Sequence, residues 1–270
     1  MNSFISYFCP HWGNVLPFDT FCKKVKLAGY TGVEMDLPVD VYENEFVINT
    51  LRKYHLKLIG QYWQSIEKNF ATHKKNYKKY LYYLASANPI LINTQTGKDY
   101  FSFGKNMELI SIAEKISIET GIEIAHETHR GKFLYNLPVV AACLKANKNV
   151  KLTLDASHFC TVHESLLEDQ QDSLNLAIKH TKHFHARIGH SEGPQVNDPR
   201  APEWETALQA HLNWWDRIVA HHRKRKTLLS VTTEFGPTPY MPTTPFSNKP
   251  LSSQWDINVF MLELLKKRYN

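Results

Sequence analysis

The sequence lacks features that would place it in several broad classes of protein. Its four cysteines, Cys9, Cys22, Cys143 and Cys160, are widely scattered and form no CxxC pair, which argues against a disulfide framework or a thiolate zinc site. No apolar run approaches the roughly 20 residues of a membrane span. The first basic residue is Lys23, so the charged start of a signal peptide is missing. These absences predict a cytoplasmic protein with no membrane contact.

Two further signals are weak or missing. No glycine-rich turn follows the first predicted strand, which removes the usual sign of a dinucleotide-binding sheet. The net charge of +6 is mild, and much of it lies in short basic runs at 74–79 and 223–226. Such runs are typical of solvated helix faces, and His221 and His222 are expected at the exposed end of such a helix. Nucleic acid is therefore not an expected partner.

The chain does contain a regular alternation of short apolar segments and longer amphipathic ones. At 270 residues and 43% hydrophobic content it is long enough for one large core, so we expect a single domain spanning 1–270. Alternating strand and helix patterns indicate repeated β-α units around a parallel sheet. The predicted strands are 4–8, 32–36, 57–62, 90–93, 122–126, 151–155, 183–187 and 228–234.

Eight such units predict a closed (β/α)8 TIM barrel. Apolar side chains at helical spacing predict helices over 43–55 and 104–120, with Gly121 ending the second. The segments 189–203 and 236–250 are long and rich in proline, and they follow the last two predicted strands. Long loops at the carboxyl ends of barrel strands tend to carry function.

Metal-ligand side chains appear where four of these strands end: Glu127, Asp155, His185 and Glu234. Residues at the carboxyl ends of barrel strands converge on one pocket. Three buried carboxylates in one pocket would repel one another unless a cation were present. An oxygen and nitrogen donor set suits Mn, Co or Mg, with Zn as an alternative. His183 shares a strand face with His185, so either imidazole could be the ligand.

The ordered series of motifs resembles the xylose isomerase-like TIM barrel superfamily, which includes the sugar phosphate isomerase/epimerase proteins. The motifs are Gly-Tyr-Thr-Gly-Val-Glu at 29–34, His-Glu-Thr-His at 126–129, Asp-Ala-Ser-His at 155–158, His-Phe-His at 183–185, and Glu234. The resemblance implies that Glu127, Asp155, His185 and Glu234 bind one divalent metal, with His158 beside it.

The function that this resemblance implies is isomerisation or epimerisation of a small carbohydrate through a metal-stabilised enediolate. Glu127 and Glu234 would be the catalytic carboxylates, one removing a proton from carbon and the other returning it. The substrate-binding set is expected to contain His158, Arg187, Glu34, His11, Trp12, Trp63, Gln95 and His129.

Other functions remain open at this point. A lyase of the inosose dehydratase type would begin with the same proton removal, and a barrel that binds a ligand without turnover is a remoter alternative. The sequence also resembles the endonuclease IV group, but 60–63 and 93–96 carry no histidine for additional zinc ions. Metal identity, phosphorylation of the substrate and assembly into a homo-oligomer are left undecided.

Overall fold

Eight parallel strands form the centre of the molecule. The structure is a computed structural model that describes residues 4–270. The strands are β1 (Ile5–Pro10), β2 (Gly32–Met35), β3 (Lys57–Tyr62), β4 (Leu91–Thr94), β5 (Ile124–Glu127), β6 (Leu152–Leu154), β7 (Thr181–His185) and β8 (Leu229–Thr232). Each pairs with the next in chain order and β8 pairs with β1, which closes the barrel. The predicted (β/α)8 barrel is therefore confirmed.

Helices surround this barrel. They are α1 (Phe18–Leu27), α2 (Val41–Lys53), α3 (Phe70–Ser86), α4 (Phe103–Thr120), α5 (Leu137–Ala146), α6 (Ala156–His163), α7 (Gln171–His180), α8 (Glu205–Arg225) and α9 (Gln254–Tyr269). A short 3-10 helix, Pro202–Trp204, precedes α8. Among residues 4–270, no helix combines the length and the apolar character needed to cross a bilayer.

Local signals set the ends of the two predicted helices. Ser102 caps α4 by accepting a hydrogen bond from the Lys105 amide, and Gly121 ends the helix in the left-handed region at φ 73°. Asp40 caps α2 by accepting from two backbone amides, so this helix begins earlier than the predicted 43–55. The cap, rather than the apolar spacing, determines the first residue.

The strand boundaries shift at β7 and β8. The predicted strand 183–187 is observed as Thr181–His185, and the predicted strand 228–234 ends at Thr232. Glu234 lies beyond the strand with φ 42°, a left-handed conformation that residues other than glycine seldom adopt. Such conformations persist where the surroundings fix them, and they cluster at functional sites.

The barrel interior changes from apolar to polar toward the carboxyl ends of the strands. A small buried cluster separate from the main core consists of Phe8, Ile59, Leu91 and Ala125. Alternate residues of a strand share a face. Asn93 and Glu127 therefore lie on the same interior face as Leu91 and Ala125, one step closer to the carboxyl end. This polar layer is the floor of the site described next.

Candidate metal centre and active site

Four predicted ligands meet at the carboxyl ends of β5 to β8. Glu127 and His185 are the last residues of β5 and β7, Asp155 directly follows β6, and Glu234 follows β8. All four are buried, with at most 5% of any of them exposed. His185 Nδ1 lies 2.5 Å from Glu234 Oε2 and 3.6 Å from Asp155 Oδ2. Ligand atoms of Glu127, Asp155 and His185 all lie within 4.8 Å of one another.

Glu34 determines how the His185 ring is oriented. The Nε2 atom of His185 lies 3.2 Å from Glu34 Oε1, which leaves Nδ1 directed toward Glu234 and Asp155. Glu34 also accepts from Asn93 Nδ2 at 2.7 Å and from the Thr232 hydroxyl. Burial raises the pKa of Glu34, but His185 and His183 outweigh burial and hold this pKa well below its ordinary value. Glu34 is thus an ionised carboxylate beneath the pocket.

This position corrects the prediction for Glu34 and distinguishes the surroundings of His183 from those of His185. We expected Glu34 to bind substrate hydroxyls, but its two oxygens are occupied by four partners inside the barrel. His183 is one of those partners, and its Nδ1 lies 2.8 Å from the Ser230 hydroxyl. Both ring nitrogens of His183 are therefore engaged within the barrel. Of the two imidazoles, His185 is the one that presents a nitrogen to the carboxylate cluster.

Glu127 is held by two amides. Gln95 Nε2 donates to Oε1 at 3.0 Å, and Asn93 Nδ2 donates to Oε2 at 2.9 Å. Gln95 thus contacts Glu127, and its expected contact with substrate hydroxyls stays a prediction. Burial raises the pKa of Glu127 to about 8, with further contributions from Glu234 and Asp155. The raised pKa means that a charged Glu127 is costly in this pocket, chiefly because the side chain is buried.

Arg187 is the permanent cation in contact with these acids. Its Nη2 donates to Asp155 Oδ2 and to His158 Nε2, the latter at 2.8 Å, and lies 3.6 Å from Glu234 Oε2. Its Nε donates to the Ser157 hydroxyl at 3.2 Å. Arg187 is therefore at the site, but the structure pairs it with Asp155. Its predicted contact with substrate oxygens stays a prediction.

The donor set fits a divalent cation. Four carboxyl groups, Glu34, Glu127, Asp155 and Glu234, are buried here, and the Arg187 guanidinium contacts only Asp155 and Glu234 among them. Among the described residues, His185 Nδ1 and Glu234 Oε2 are buried with no hydrogen-bond partner, although they lie side by side. Buried polar atoms are normally satisfied. Two potential ligand atoms that face only each other in an acidic pocket are what a bound metal would explain, and Glu127, Asp155, His185 and Glu234 are the residues that would hold it.

Two further histidines lie against the other side of Glu127. Ligand atoms of Glu127, His129 and His158 lie within 4.8 Å of one another, and the two imidazole rings are 3.9 Å apart between centroids. His129 Nδ1 lies 2.6 Å from the Arg130 carbonyl, so it donates there and Nε2 is left as an acceptor. Burial lowers the pKa of His129 to about 3 and that of His158 well below its usual value. Both rings are therefore neutral near pH 7.

Aromatic side chains stand over Arg187. Tyr240, from the loop after β8, has its ring 4.8 Å from the Arg187 guanidinium and packs edge-on against Trp12 at 4.9 Å. Trp12 is partly exposed, with its ring 6.0 Å from the same guanidinium. Trp12 thus lies beside the pocket, and its role as a wall against substrate stays a prediction. Tyr240 was missed because a lone tyrosine in a proline-rich loop carries no periodic signal.

The remaining predicted residues lie farther from the acids. His11 packs edge-on against Phe18 and Phe21 and contacts Asn14, so it supports the turn into α1. Its predicted contact with a substrate hydroxyl stays a prediction. Trp63 is 48% exposed, and its carbonyl accepts from the buried Lys132 ammonium at 3.1 Å. Lys132 links the loops after β5 and β3 and was also missed.

The chain resembles proteins of known structure in its fold, whereas the comparisons of its sequence find no match. No protein-family profile matches it, and no curated protein sequence matches it significantly. A xylose isomerase-like TIM barrel protein from Mycobacterium smegmatis, in complex with magnesium, is 11% identical with a TM-score of 0.61 over 100% of both chains. The 3-keto-D-glucoside 4-epimerase YcjR of E. coli is 14% identical with a TM-score of 0.58, over 98% of this chain and 100% of its own.

Enzymes of other kinds share the same architecture. The probable 3-DHS dehydratase AsbF of Bacillus anthracis is 17% identical with a TM-score of 0.61, over 97% of this chain and 99% of its own. An endonuclease IV from Thermus thermophilus is also similar. At these identities the likeness shows the fold. The chain therefore has the fold of the xylose isomerase-like TIM barrel proteins, as its motifs predicted.

Proposed function

We propose that this chain is a divalent-metal-dependent isomerase or epimerase of a small sugar, sugar phosphate or sugar acid. The observation that carries the proposal is the meeting of Glu127, Asp155, His185 and Glu234 in one buried pocket, where His185 Nδ1 and Glu234 Oε2 face each other with no other hydrogen-bond partner. A pocket built in this way combines a site for a cation with carboxylates that can exchange protons. Sugar isomerisation and epimerisation need both.

The proposed mechanism assigns a separate task to each group. A metal ion bound here would supply Lewis-acid stabilisation of the negative charge that develops on substrate oxygen when a carbon-bound proton leaves. Glu127, fixed by Gln95 and Asn93, and Glu234, held beyond β8 by the strained turn, are the two proton carriers. Return of the proton to the opposite face of the same carbon is epimerisation. Return to the adjacent carbon is isomerisation.

Other residues of the pocket would orient the substrate. The Arg187 guanidinium and the His158 imidazole lie beside the acids and would bind substrate oxygens as their charge increases. Trp12 and Tyr240 offer flat apolar surfaces to the carbon face of a sugar ring. The side chains named here match a ligand that carries several hydroxyl groups and a carbonyl.

Elemental analysis tests the proposal directly. We expect about one divalent metal ion per purified chain, retained in Glu203→Gln, whose exposed acid lies outside the pocket, and lost in Glu127→Ala and Asp155→Ala. Ketoses and aldoses would then be screened for deuterium uptake from heavy water at carbon. A wild-type protein that cannot be loaded with Mn, Co, Mg or Zn contradicts the proposal.

A lyase is the second candidate, and Tyr240 favours it. Loss of a hydroxyl requires an acid near the departing oxygen, and the Tyr240 phenol, whose pKa is raised by burial, keeps its proton at neutral pH and stands over Arg187. The two reactions differ in their products, because a lyase releases water and leaves an unsaturated or keto compound. Mass spectrometry of products from inososes and related ketones separates them: a product lighter by one water supports the lyase, and an isomer of unchanged mass supports the first candidate.

We also propose that the substrate is a small molecule and not a nucleic acid. The ends of β3 and β4 present Gln61 and Asn93, and both side chains hydrogen-bond to carboxylates of the pocket. Neither position supplies an imidazole for further zinc ions. Incubation of metal-loaded protein with a duplex containing an abasic site should leave the duplex intact. Cleavage that disappears in Asp155→Ala would overturn this assignment.

A further inference from the structure

A second cavity lies at the opposite end of the barrel from the candidate active site. It has a volume of about 770 Å³ and runs beneath the amino ends of β5, β6 and β7, between α4 on one side and the end of α8 on the other. Small-molecule sites usually have volumes of roughly 300–1,000 Å³. We call it the basal cleft. Nothing in the proposed reaction uses it.

The lining of the basal cleft is strongly cationic. Five permanent cations border it: Lys148, Lys151, Lys179, Lys182 and Arg225. Glu114 is the one carboxylate among the lining residues, and the amides of Asn147 and Asn149 bind it. Glu123, just outside, pairs with Lys151 and Lys182. Even with both acids counted, this cleft contains about half of the net charge of +6 of the whole chain.

The positive charges from different elements are close enough to affect the same residue of the basal cleft. Burial lowers the pKa of His221, and neighbouring positive charges, led by Arg225 and Lys179, lower it further. Those two residues come from different helices, α8 and α7, so their charges converge across the cleft. Lys179 and Arg225 stand in the last turns of their helices, where cations complement the helix dipole. Lys148 lies just beyond the end of α5, and Lys182 lies in β7, where no helix dipole accounts for it.

The floor and one wall of the basal cleft are formed by uncharged side chains, whereas its rim is cationic. Ile110, Ala113 and Ile118 of α4 form an apolar wall, in which Ile118 is exposed and the other two are buried behind it. The floor includes His222, which we expected on an exposed helix face. His222 is instead buried, with Nε2 2.7 Å from the Thr181 carbonyl and Nδ1 2.8 Å from the Thr227 hydroxyl. Both ring nitrogens are engaged, so His222 closes the floor as a structural residue.

We propose that the basal cleft binds a small organic polyphosphate of nucleotide size. A single carboxylate would leave most of these cations uncompensated, whereas a di- or triphosphate carries enough negative charge to match them. The apolar wall of α4 fits a ligand that also has an uncharged ring or chain. Cavity volume, cation number and apolar wall together select an organic phosphate over an inorganic anion.

Calorimetric titration with ATP tests the proposal. The protein is first stripped with chelator and the titration contains no divalent metal, so that the acidic site cannot bind phosphate through a cation. We expect saturable binding that weakens at least about tenfold in the double variant Lys148→Glu/Lys179→Glu, because two charge-assisted contacts become repulsive. Both side chains are exposed, so folding should be retained, and circular dichroism checks this.

A variant matched in charge provides the control. Lys75→Glu/Lys79→Glu changes two exposed lysines of α3, away from the basal cleft, and should weaken ATP binding less than about twofold. Equal weakening in both double variants would mean attraction by the overall charge alone and would overturn the proposal, as would the absence of saturable binding.

Inorganic tripolyphosphate should bind more weakly than ATP. Equal affinity would overturn the assigned role of the apolar wall and hence the organic part of the ligand.

Discussion

The two ends of the barrel handle charge in opposite ways. At the carboxyl end, Glu34, Glu127, Asp155 and Glu234 are buried and depend on specific partners. At the amino end, lysines and an arginine surround the open basal cleft, and solvent can screen them. Burial makes each acid expensive to leave unpaired, while exposed cations cost little. A modest net charge therefore conceals two sites of opposite sign, and the buried one is constrained far more strongly.

The largest effect should come from breaking the buried pair of Asp155 and Arg187. Asp155→Ala removes the partner of the guanidinium and the side-chain cap of α6, whose oxygen accepts from the Ser157 amide at 3.0 Å. An uncompensated buried charge costs about 3–5 kcal/mol of stability. Urea unfolding of metal-free protein measures this loss. A loss below about 1 kcal/mol would mean that the pocket is wetter than the structure shows.

Replacement of Glu34 should weaken metal binding without removing a ligand. Glu34→Gln takes away the ionised partner of His185 Nε2, so the ring loses the contact that directs Nδ1 into the pocket. Such partners of metal-binding histidines typically contribute 10- to 100-fold in affinity. Competition with a coloured chelator measures the change, with Glu114→Gln at the basal cleft as the control. Unchanged affinity would show that packing alone orients His185.

An intermediate effect is expected at Gly236, beneath the aromatic wall. A Cβ at this position would lie 2.2 Å from the Trp12 ring, so Gly236→Ala must displace that ring. Overpacking of this kind costs about 1–3 kcal/mol. We expect altered tryptophan fluorescence and weaker substrate binding. Gly104→Ala is the control, because a Cβ at Gly104 meets nothing within 4 Å. Identical fluorescence in wild type and Gly236→Ala would show that the loop backbone shifts and the Trp12 ring keeps its place.

The smallest effect should come from an exposed ion pair. Arg268 donates to Asp216 and holds the pKa of this carboxyl below its ordinary value, against a small effect of burial. A carboxyl with a lowered folded pKa stabilises the protein above its unfolded pKa, and this contribution is lost as the pH falls through the folded value. Asp216→Asn should therefore lower the melting temperature slightly at pH 7 and hardly at all at pH 3. An equal decrease at both pH values would exclude a charge effect.

Much of the candidate site could be predicted because strand ends are visible in the sequence. Glu127, Asp155 and Glu234 lie at or just beyond the end of a predicted strand and His185 lies within another, and barrel topology brings such positions together. Their role as metal ligands remains a prediction that the proposed metal analysis tests. Tyr240 and Lys132 could not be found in this way, since each reaches the site from a loop. Loop paths depend on long-range packing that leaves no local pattern.

The sequence by itself determined the eightfold alternation, the helix ended by Gly121 and the order of the acidic strand ends, because these depend on local spacing, capping and burial. Only the tertiary structure decided which imidazole faces Asp155 and Glu234. His183 and His185 share a strand face and differ in their neighbours alone. It also decided that Glu34 supports the site from below and that His222 is buried. These outcomes follow from contacts between residues up to about two hundred positions apart, such as Glu34 with Thr232, which no sequence window contains.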